Sequence, residues 1–259
     1  MPFLLLVPGF VLTVWLVGLV FTSDLTMPPG SVRCFRNVVA VFPHADDETV
    51  NCGGTLRRLS ANGAKVTLVL LTAGERGNPA SVPDDSLKGV REHEAQRAVG
   101  LLGLSRLVQR DFGDGGLAER RAEVRSYLAE TIRVIEPDLI VTYDRAGLDG
   151  HPDHVVCAEI LTDLKAEHLT DARLWHVALP RRLVRLLQTA RQLPREPGID
   201  VRRAAPTLRI FLGGAVLAKI RAWYAYQSQR GAIAKGLGKL VPIWFAISML
   251  QFEYFAEAE

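Results

Sequence analysis

The hydrophobic pattern begins with Phe3 to Phe21, nineteen residues without a charge; the first acid comes at Asp24. As a helix rising about 1.5 Å per residue, this run reaches about 28 Å, close to a bilayer's hydrocarbon thickness. Pro8, Gly9 and Gly18 are tolerated in such a helix. Only Met1 and Pro2 precede the run, and Thr22-Ser23-Asp24-Leu25 offers no small-residue cleavage site, so it reads as a retained anchor, not a removed signal. Arg33 and Arg36 follow it, which under the positive-inside tendency puts the remainder in the cytoplasm. The expectation is a single-pass membrane protein with a transmembrane anchor over 1–22, a linker over 23–35 containing Met27-Pro28-Pro29-Gly30, and one domain over 36–259.

Beyond the linker, short apolar runs alternate with helical periods. Strands are expected at Asn37–Phe42, Lys65–Thr72, Arg106–Gln109, Asp138–Tyr143 and Leu174–Ala178, with helices at Thr49–Ala61, Lys88–Leu102, Ala118–Ile135 and Asp153–Leu164. Ala73–Leu87, rich in Gly, Pro and Asp, reads as a substrate-facing loop. This alternation predicts an α/β fold with a Rossmann-like, doubly wound, mainly parallel sheet. No GxGxxG follows the first strand, so no dinucleotide is expected. Val241–Leu250 is apolar but too short for a second span; it suits a core strand or an interfacial element.

Composition adds three points. A chain of 259 residues, 48% hydrophobic, can bury one substantial core. Cys34, Cys52 and Cys157 are odd in number and lack CxxC spacing, which disfavours a disulfide scaffold and favours a reducing compartment. Between Arg173 and Leu240 stand fourteen Lys or Arg and two acids, a balance of +12 in a chain of net charge +3. Within that region Leu179, Leu183, Leu186, Leu187 and Ala190 recur at helical spacing, with Arg181, Arg182, Arg185 and Arg191 between them. The pattern is that of a basic amphipathic helix suited to an anionic bilayer surface, or of a solvated helix packed on the sheet. Aromatic residues are sparse there and no nucleic-acid motif appears, so no nucleic acid is expected.

The chemistry sits in two motifs, each just past a predicted strand. Pro43-His44-Ala45-Asp46-Asp47-Glu48 follows the first, and His151-Pro152-Asp153-His154 follows the run Leu139–Tyr143. Strand ends line the ligand crevice of an open α/β sheet, so distant loops can meet there. A catalytic zinc takes three His, Asp or Glu ligands and leaves one position open, and His44, Asp47 and His154 supply such a set. Asp46 then lies beside the ion's water, whose pKa zinc lowers to about 7, and can take its proton. His151 is placed to polarise a carbonyl or protonate a leaving amine, with Asp153 fixing its tautomer. These parts make a metal-assisted amide hydrolase. N/O ligands accept several divalent ions, so iron and manganese stay open beside zinc. The bland alternative is that Asp46 or Asp47 merely caps the following helix.

These motifs resemble those of the PIG-L/LmbE family of zinc-dependent de-N-acetylases. The resemblance rests on PHADDE and HPDH, on Leu71–Gly77 (LTAGERG), and on the helix beginning Arg91-Glu92-His93-Glu94. It extends to Asp111–Gly115 and Tyr143-Asp144, covering residues 36–180 well and the last eighty loosely. It implies that His44, Asp47 and His154 are metal ligands, Asp46 the general base, His151 the acid or oxyanion-stabilising histidine, and Asp153 the carboxylate that tunes it. It also implies a substrate contact for Arg91, and it puts Asp114 and Asp149 on the substrate side. The chain departs from the family at Ala45, where a proline is usual, and at Asp149, where members of the mycothiol pathway have a tyrosine. Tyr226-Gln227-Ser228-Gln229 is similar to a family HxSQ segment without its histidine.

The implied function is hydrolysis of the N-acetyl amide of an N-acetylglucosamine-type sugar carried on a lipid or glycoconjugate, with zinc, or another divalent ion such as Fe2+, as cofactor. A related metal-dependent amidase acting on another N-acyl small molecule is the first alternative. A non-catalytic membrane-tethered binding protein is the second.

Overall fold

The computed structural model describes residues 3–77, 84–189, 203–229 and 242–258. Seven strands form one mixed sheet in the order β3-β2-β1-β4-β5-β7-β6. They are β1 (Asn37–Phe42), β2 (Lys65–Leu70), β3 (Arg106–Gln109), β4 (Leu139–Thr142), β5 (Arg173–Ala178), β6 (Leu208–Phe211) and β7 (Phe252–Ala258). The first five run parallel, while β7 pairs antiparallel with both β5 and β6. Helices α2 (Asp47–Ala61), α3 (Asp84–Leu102), α4 (Arg121–Ile135) and α6 (Pro152–Ala166) alternate with the parallel strands, and a four-residue α5 (Gly147–Gly150) precedes α6.

Strand β1 is apolar throughout because both faces are covered, as a parallel strand between helix layers requires. Val38, Ala40 and Phe42 pack on one side with Leu56 and Leu59 of α2; Val39 and Val41 pack on the other with Leu128 of α4 and Ile160 of α6. Chain order reverses at β1, whose neighbours are β2 and β4. The loops after β1 and β4 therefore face each other across the switch-point crevice, where ligands bind in open α/β sheets.

The N-terminal helix α1 (Phe3–Thr22) corrects an expectation. Among the described residues no helix is long and apolar enough to cross a membrane. The C-terminal half of the helix is fastened to the protein. The Trp15 indole donates to Ser248 Oγ at 3.0 Å, Thr22 Oγ1 donates to the Met249 carbonyl at 3.0 Å, and Gly18 lies against the Met249 side chain. The transmembrane anchor, the single-pass membrane location and the cytoplasmic catalytic domain inferred from it are accordingly withdrawn.

Two further sequence patterns are resolved by packing. The basic amphipathic segment forms α7 (Arg181–Thr189), whose Leu183 and Leu187 are half-buried on a cavity between helices and whose Leu186 is half exposed. Ala190 and Arg191 of that pattern lie outside the described residues, as does Val241. The rest of the apolar 241–250 segment is mostly a short helix, α9 (Ile243–Met249), that packs on α1 and on α8 (Ala215–Trp223).

A buried ion pair ties α8 to the sheet. Lys219 Nζ lies 2.7 Å from Glu253 Oε1, and the same carboxylate accepts the Gly54 and Thr55 amides of α2 at 3.0 and 2.7 Å. Breaking such a pair strands a charge away from water. Lys219→Met is therefore expected to destabilise the fold by about 3–5 kcal/mol. The check is a denaturant midpoint that falls while the slope is unchanged.

Candidate active site

Both site loops are held by backbone contacts before any ligand enters. The carbonyl of Pro43, at the end of β1, accepts from the amide and hydroxyl of Thr72 at 3.0 and 2.9 Å. The buried Arg91 donates to the Ala45 carbonyl at 2.7 Å and to the Gly74 carbonyl at 2.9 Å. Gly74 has φ +66°, and a Cβ there would come within 2.6 Å of the guanidinium, so glycine is what admits Arg91. On the other loop, Asp144 accepts the Leu148 and Ala204 amides at 3.0 and 2.5 Å. His151 caps α6, its Nδ1 accepting the Asp153 amide at 3.2 Å, and Pro152 fits the first helical position because its missing N–H is not needed there.

The loops bring three candidate ligand atoms together. His44 Nδ1 lies 3.2 Å from His154 Nε2, and Asp47 Oδ2 lies 3.4 and 3.5 Å from those two nitrogens. Donors about 2.0–2.2 Å from one tetrahedral ion stand roughly 3.4 Å apart, so the triangle has the size of one face of such a site. Two imidazoles and a carboxylate also suit a borderline divalent ion such as zinc or ferrous iron. His151 converges on the same point: one ring nitrogen from each of His44, His151 and His154 lies within 4.8 Å of the others. Asp47 is the better third donor, because its oxygen is at tetrahedral-edge distance from both nitrogens.

The remaining ring nitrogens are engaged by carboxylates. His44 Nε2 meets Asp114 Oδ1 at 3.1 Å and Asp153 Oδ2 at 3.3 Å. His154 Nδ1 donates to Asp149 Oδ1 at 2.9 Å, while Tyr143 stacks on its ring at 4.2 Å between centroids. These contacts leave His44 Nδ1 and His154 Nε2 as the nitrogens free to ligate. Burial opposes protonation of His44, but Asp114, Asp153 and Asp47 outweigh it and raise its pKa well above the ordinary value. Burial likewise opposes ionisation of Asp114, yet the His44 contact draws its carboxyl down to about 2. Asp47 is held below the ordinary range by His154 and His44 despite its burial.

Three sequence expectations meet a different geometry. The Asp153 carboxylate does not reach for its neighbour His151; it accepts the Gly115 and Leu117 amides and faces His44 across the crevice. Arg91 points into the protein behind the 43–47 loop, 3.9 Å from Asp46 Oδ1, so it holds the loop rather than lining a substrate cleft. Asp114 and Asp149 stand behind His44 and His154. Cys157 is buried on the core face of α6, its Sγ 3.6 Å from Thr142 Oγ1, and burial pushes its thiol up to about 12.

Asp46 has a left-handed backbone, φ 100°, unusual outside glycine and tolerated best by Asp and Asn. Its carboxyl is raised to about 8 by burial first and the Asp47 charge second, with Arg91 pulling the other way. Its backbone N–H donates to Glu48 Oε2 at 3.3 Å, and Glu48 Oε1 accepts the buried Tyr226 hydroxyl at 2.7 Å. Glu48 and Tyr226 thus support the loop from below. Both were visible in the motifs, but nothing in their spacing marked them as partners. Ser228 of the same segment donates its amide and hydroxyl to Glu94 of α3 at 2.8 and 2.7 Å. His151 is partly accessible, its ring 4.9 Å from that of His44 between centroids, and burial together with the neighbouring His154 and His44 charges lowers its pKa.

Residues 39–165 match the PIG-L family model, described as GlcNAc-PI de-N-acetylase. The 1D-myo-inositol 2-acetamido-2-deoxy-alpha-D-glucopyranoside deacetylase of Actinosynnema mirum is 32% identical over 250 positions, covering 83% of this chain and 85% of that enzyme. The enzyme of the same name from Corynebacterium diphtheriae is 35% identical over 170 positions, 55% of this chain and 56% of its own length. Among solved structures, the N,N'-diacetylchitobiose deacetylase of Pyrococcus horikoshii superposes with a TM-score of 0.66 at 23% identity, covering 92% of this chain and 88% of that one. That likeness supports the fold. The match to the Actinosynnema enzyme over more than four fifths of both chains, added to the family model that embraces both loops, shows that this chain belongs to the PIG-L family of enzymes hydrolysing non-peptide carbon–nitrogen bonds.

Proposed function

We propose that this protein is a metal-dependent deacetylase that hydrolyses the N-acetyl amide of an N-acetylglucosamine-type sugar carried on a lipid or glycoconjugate. The observation that carries the reading is the His44, Asp47, His154 triangle with the Asp46 carboxyl beside it. The relatives' names, which specify acetamido-sugar deacetylation, support the choice of bond and sugar.

His44, Asp47 and His154 would hold the ion, zinc or another divalent metal such as Fe2+. When bound, the ion would acidify a water and polarise the amide carbonyl. Asp46, next to Asp47 in the same loop, takes the proton from the attacking water. His151 faces the crevice with Nε2, since Nδ1 is tied to the α6 amide, and donates to the carbonyl oxygen or to the departing amine. Asp153, Asp114 and Asp149 orient the two ligand imidazoles. Arg91 and Glu48 fix the Asp46 loop.

Acetate release from a panel of N-acetylglucosaminyl-inositol, diacetylchitobiose and N-acetylglucosaminyl lipids tests the reading. Turnover of at least one is expected, abolished by a chelator and restored by metal. Turnover unaffected by exhaustive chelation would remove the metal from the proposal.

A further inference from the structure

Tyr143, the residue after β4, is only 2% exposed and faces two of the three candidate ligands. Its ring stacks on the His154 imidazole, 4.2 Å between centroids and 15° between planes. The same ring stands edge-on to Phe42 at the end of β1, at 5.2 Å and 90°. Its hydroxyl lies between Asn51 of α2 and the Asp47 carboxylate. A ring that only filled the core would need no hydroxyl, and burying one costs free energy unless it is hydrogen-bonded.

Asn51 fixes the direction of these bonds. Its Nδ2 donates to the Asp47 backbone carbonyl at 2.8 Å and to the Tyr143 hydroxyl oxygen at 2.9 Å. A carbonyl can only accept, so the amide nitrogen and not the amide oxygen faces both partners, and its two hydrogens are both in use. With Asn51 donating to the phenol oxygen, the phenol's own proton turns to its other neighbour, the Asp47 carboxylate, which when ionised can only accept. That carboxylate has one further fixed contact, since its Oδ2 accepts the His44 amide at 3.0 Å. Asn51 and Tyr143 therefore hold Asp47 from the α2 side, while the stacked ring holds the imidazole of His154 from the end of β4. One side chain thus couples a ligand from each of the two site loops.

We infer that Tyr143 is a positioning residue of the candidate metal centre: its ring sets the plane of the His154 imidazole, and its hydroxyl, aimed by Asn51, sets the orientation of the Asp47 carboxylate. The inference rests on His44, Asp47 and His154 as the metal ligands and is independent of which amide the enzyme cleaves.

The test is the zinc affinity of the metal-free full-length protein, read by competition with a chromophoric chelator, together with the visible spectrum of the cobalt-substituted protein. Tyr143→Phe keeps the ring and removes the hydroxyl. Apparent zinc affinity is expected to fall about ten- to a hundredfold, the usual effect of losing a partner that orients a ligand. The cobalt bands should shift, because the carboxylate then meets the ion differently. Asn51→Ala should weaken zinc in the same direction, and the double variant should lose little more than Tyr143→Phe alone, since the amide acts through the hydroxyl. If Tyr143→Phe does not fold, Asn51→Ala decides: weaker zinc with shifted cobalt bands supports the inference, and unchanged values overturn it. A tyrosine that merely packs would lower the unfolding midpoint of metal-free Tyr143→Phe and leave affinity and cobalt bands as in the wild type. That result overturns the positioning role and leaves the deacetylase intact. Weakened zinc and shifted bands in a protein whose wild type releases no acetate from any substrate of the panel keep the positioning role and remove the deacetylase. A wild type that takes up no zinc overturns the inference together with its ligand set.

Discussion

Asp46→Asn is expected to lower kcat by about a hundred- to ten-thousand-fold, the usual contribution of a positioned general base, while bound metal stays at wild-type stoichiometry. Asparagine is the right replacement because it keeps the shape of the side chain and tolerates the left-handed backbone at this position. Alanine would confound a lost base with a disturbed loop. The substitution should also change stability in a defined direction. In the metal-free protein the Asp46 carboxyl is raised from 3.8 to about 8, so the folded state binds a proton that the unfolded chain releases. The stability this supplies is fully present below the unfolded pKa and is lost as pH rises through the folded one. Asp46→Asn removes that loss. Its metal-free form should gain on the wild type between about pH 4 and 8, read from denaturant midpoints. Full turnover in this variant would deny Asp46 its role as base.

His154→Ala is expected to empty the site, reducing both bound metal and turnover to background. The imidazole contributes one corner of the ligand triangle, and its loss leaves only His44 and Asp47 at tetrahedral spacing. His151 lies close enough to be considered a substitute ligand, but its Nδ1 is committed to the α6 amide and its carboxylate neighbours address the other two rings. Metal binding to the wild type must also displace protons, because the flanking carboxylates raise the pKa of His44 and His154 against burial. Apparent affinity should therefore fall as pH is lowered, with proton release visible as a buffer-dependent heat. A His154→Ala protein holding a full complement of metal would place the ion elsewhere.

The sequence made local structure legible wherever the hydrophobic pattern had a single physical meaning. The run at 37–42 could be little else than a doubly covered strand, and β1 has those bounds. The two His-bearing loops were legible too, since strand ends in such a sheet share one crevice. What the pattern could not convey is which distant surface an apolar or polar group meets. Phe3–Phe21 has a length that suits lipid, yet Trp15 and Thr22 find partners in Ser248 and Met249, more than two hundred residues away. Asp153 seemed the natural companion of His151 two positions before it, but the fold turns its carboxylate onto His44 from the other loop. Arg91 was expected to contact substrate, and the fold turns it inward as a buried brace, because Gly74 leaves room for it. Strand β6 is only four residues long and its pairing with β7 is antiparallel, so it broke the alternating period that revealed the others.

The decisive measurement is X-ray absorption at the zinc edge of the reconstituted protein, comparing wild type with His154→Ala. The account predicts one ion per chain in the wild type, with two imidazole nitrogens and carboxylate oxygen at about 2.0–2.2 Å. In the variant the imidazole signature should shrink or the ion should be missing. A wild-type spectrum lacking paired imidazoles, or one that His154→Ala leaves unaltered, would contradict it.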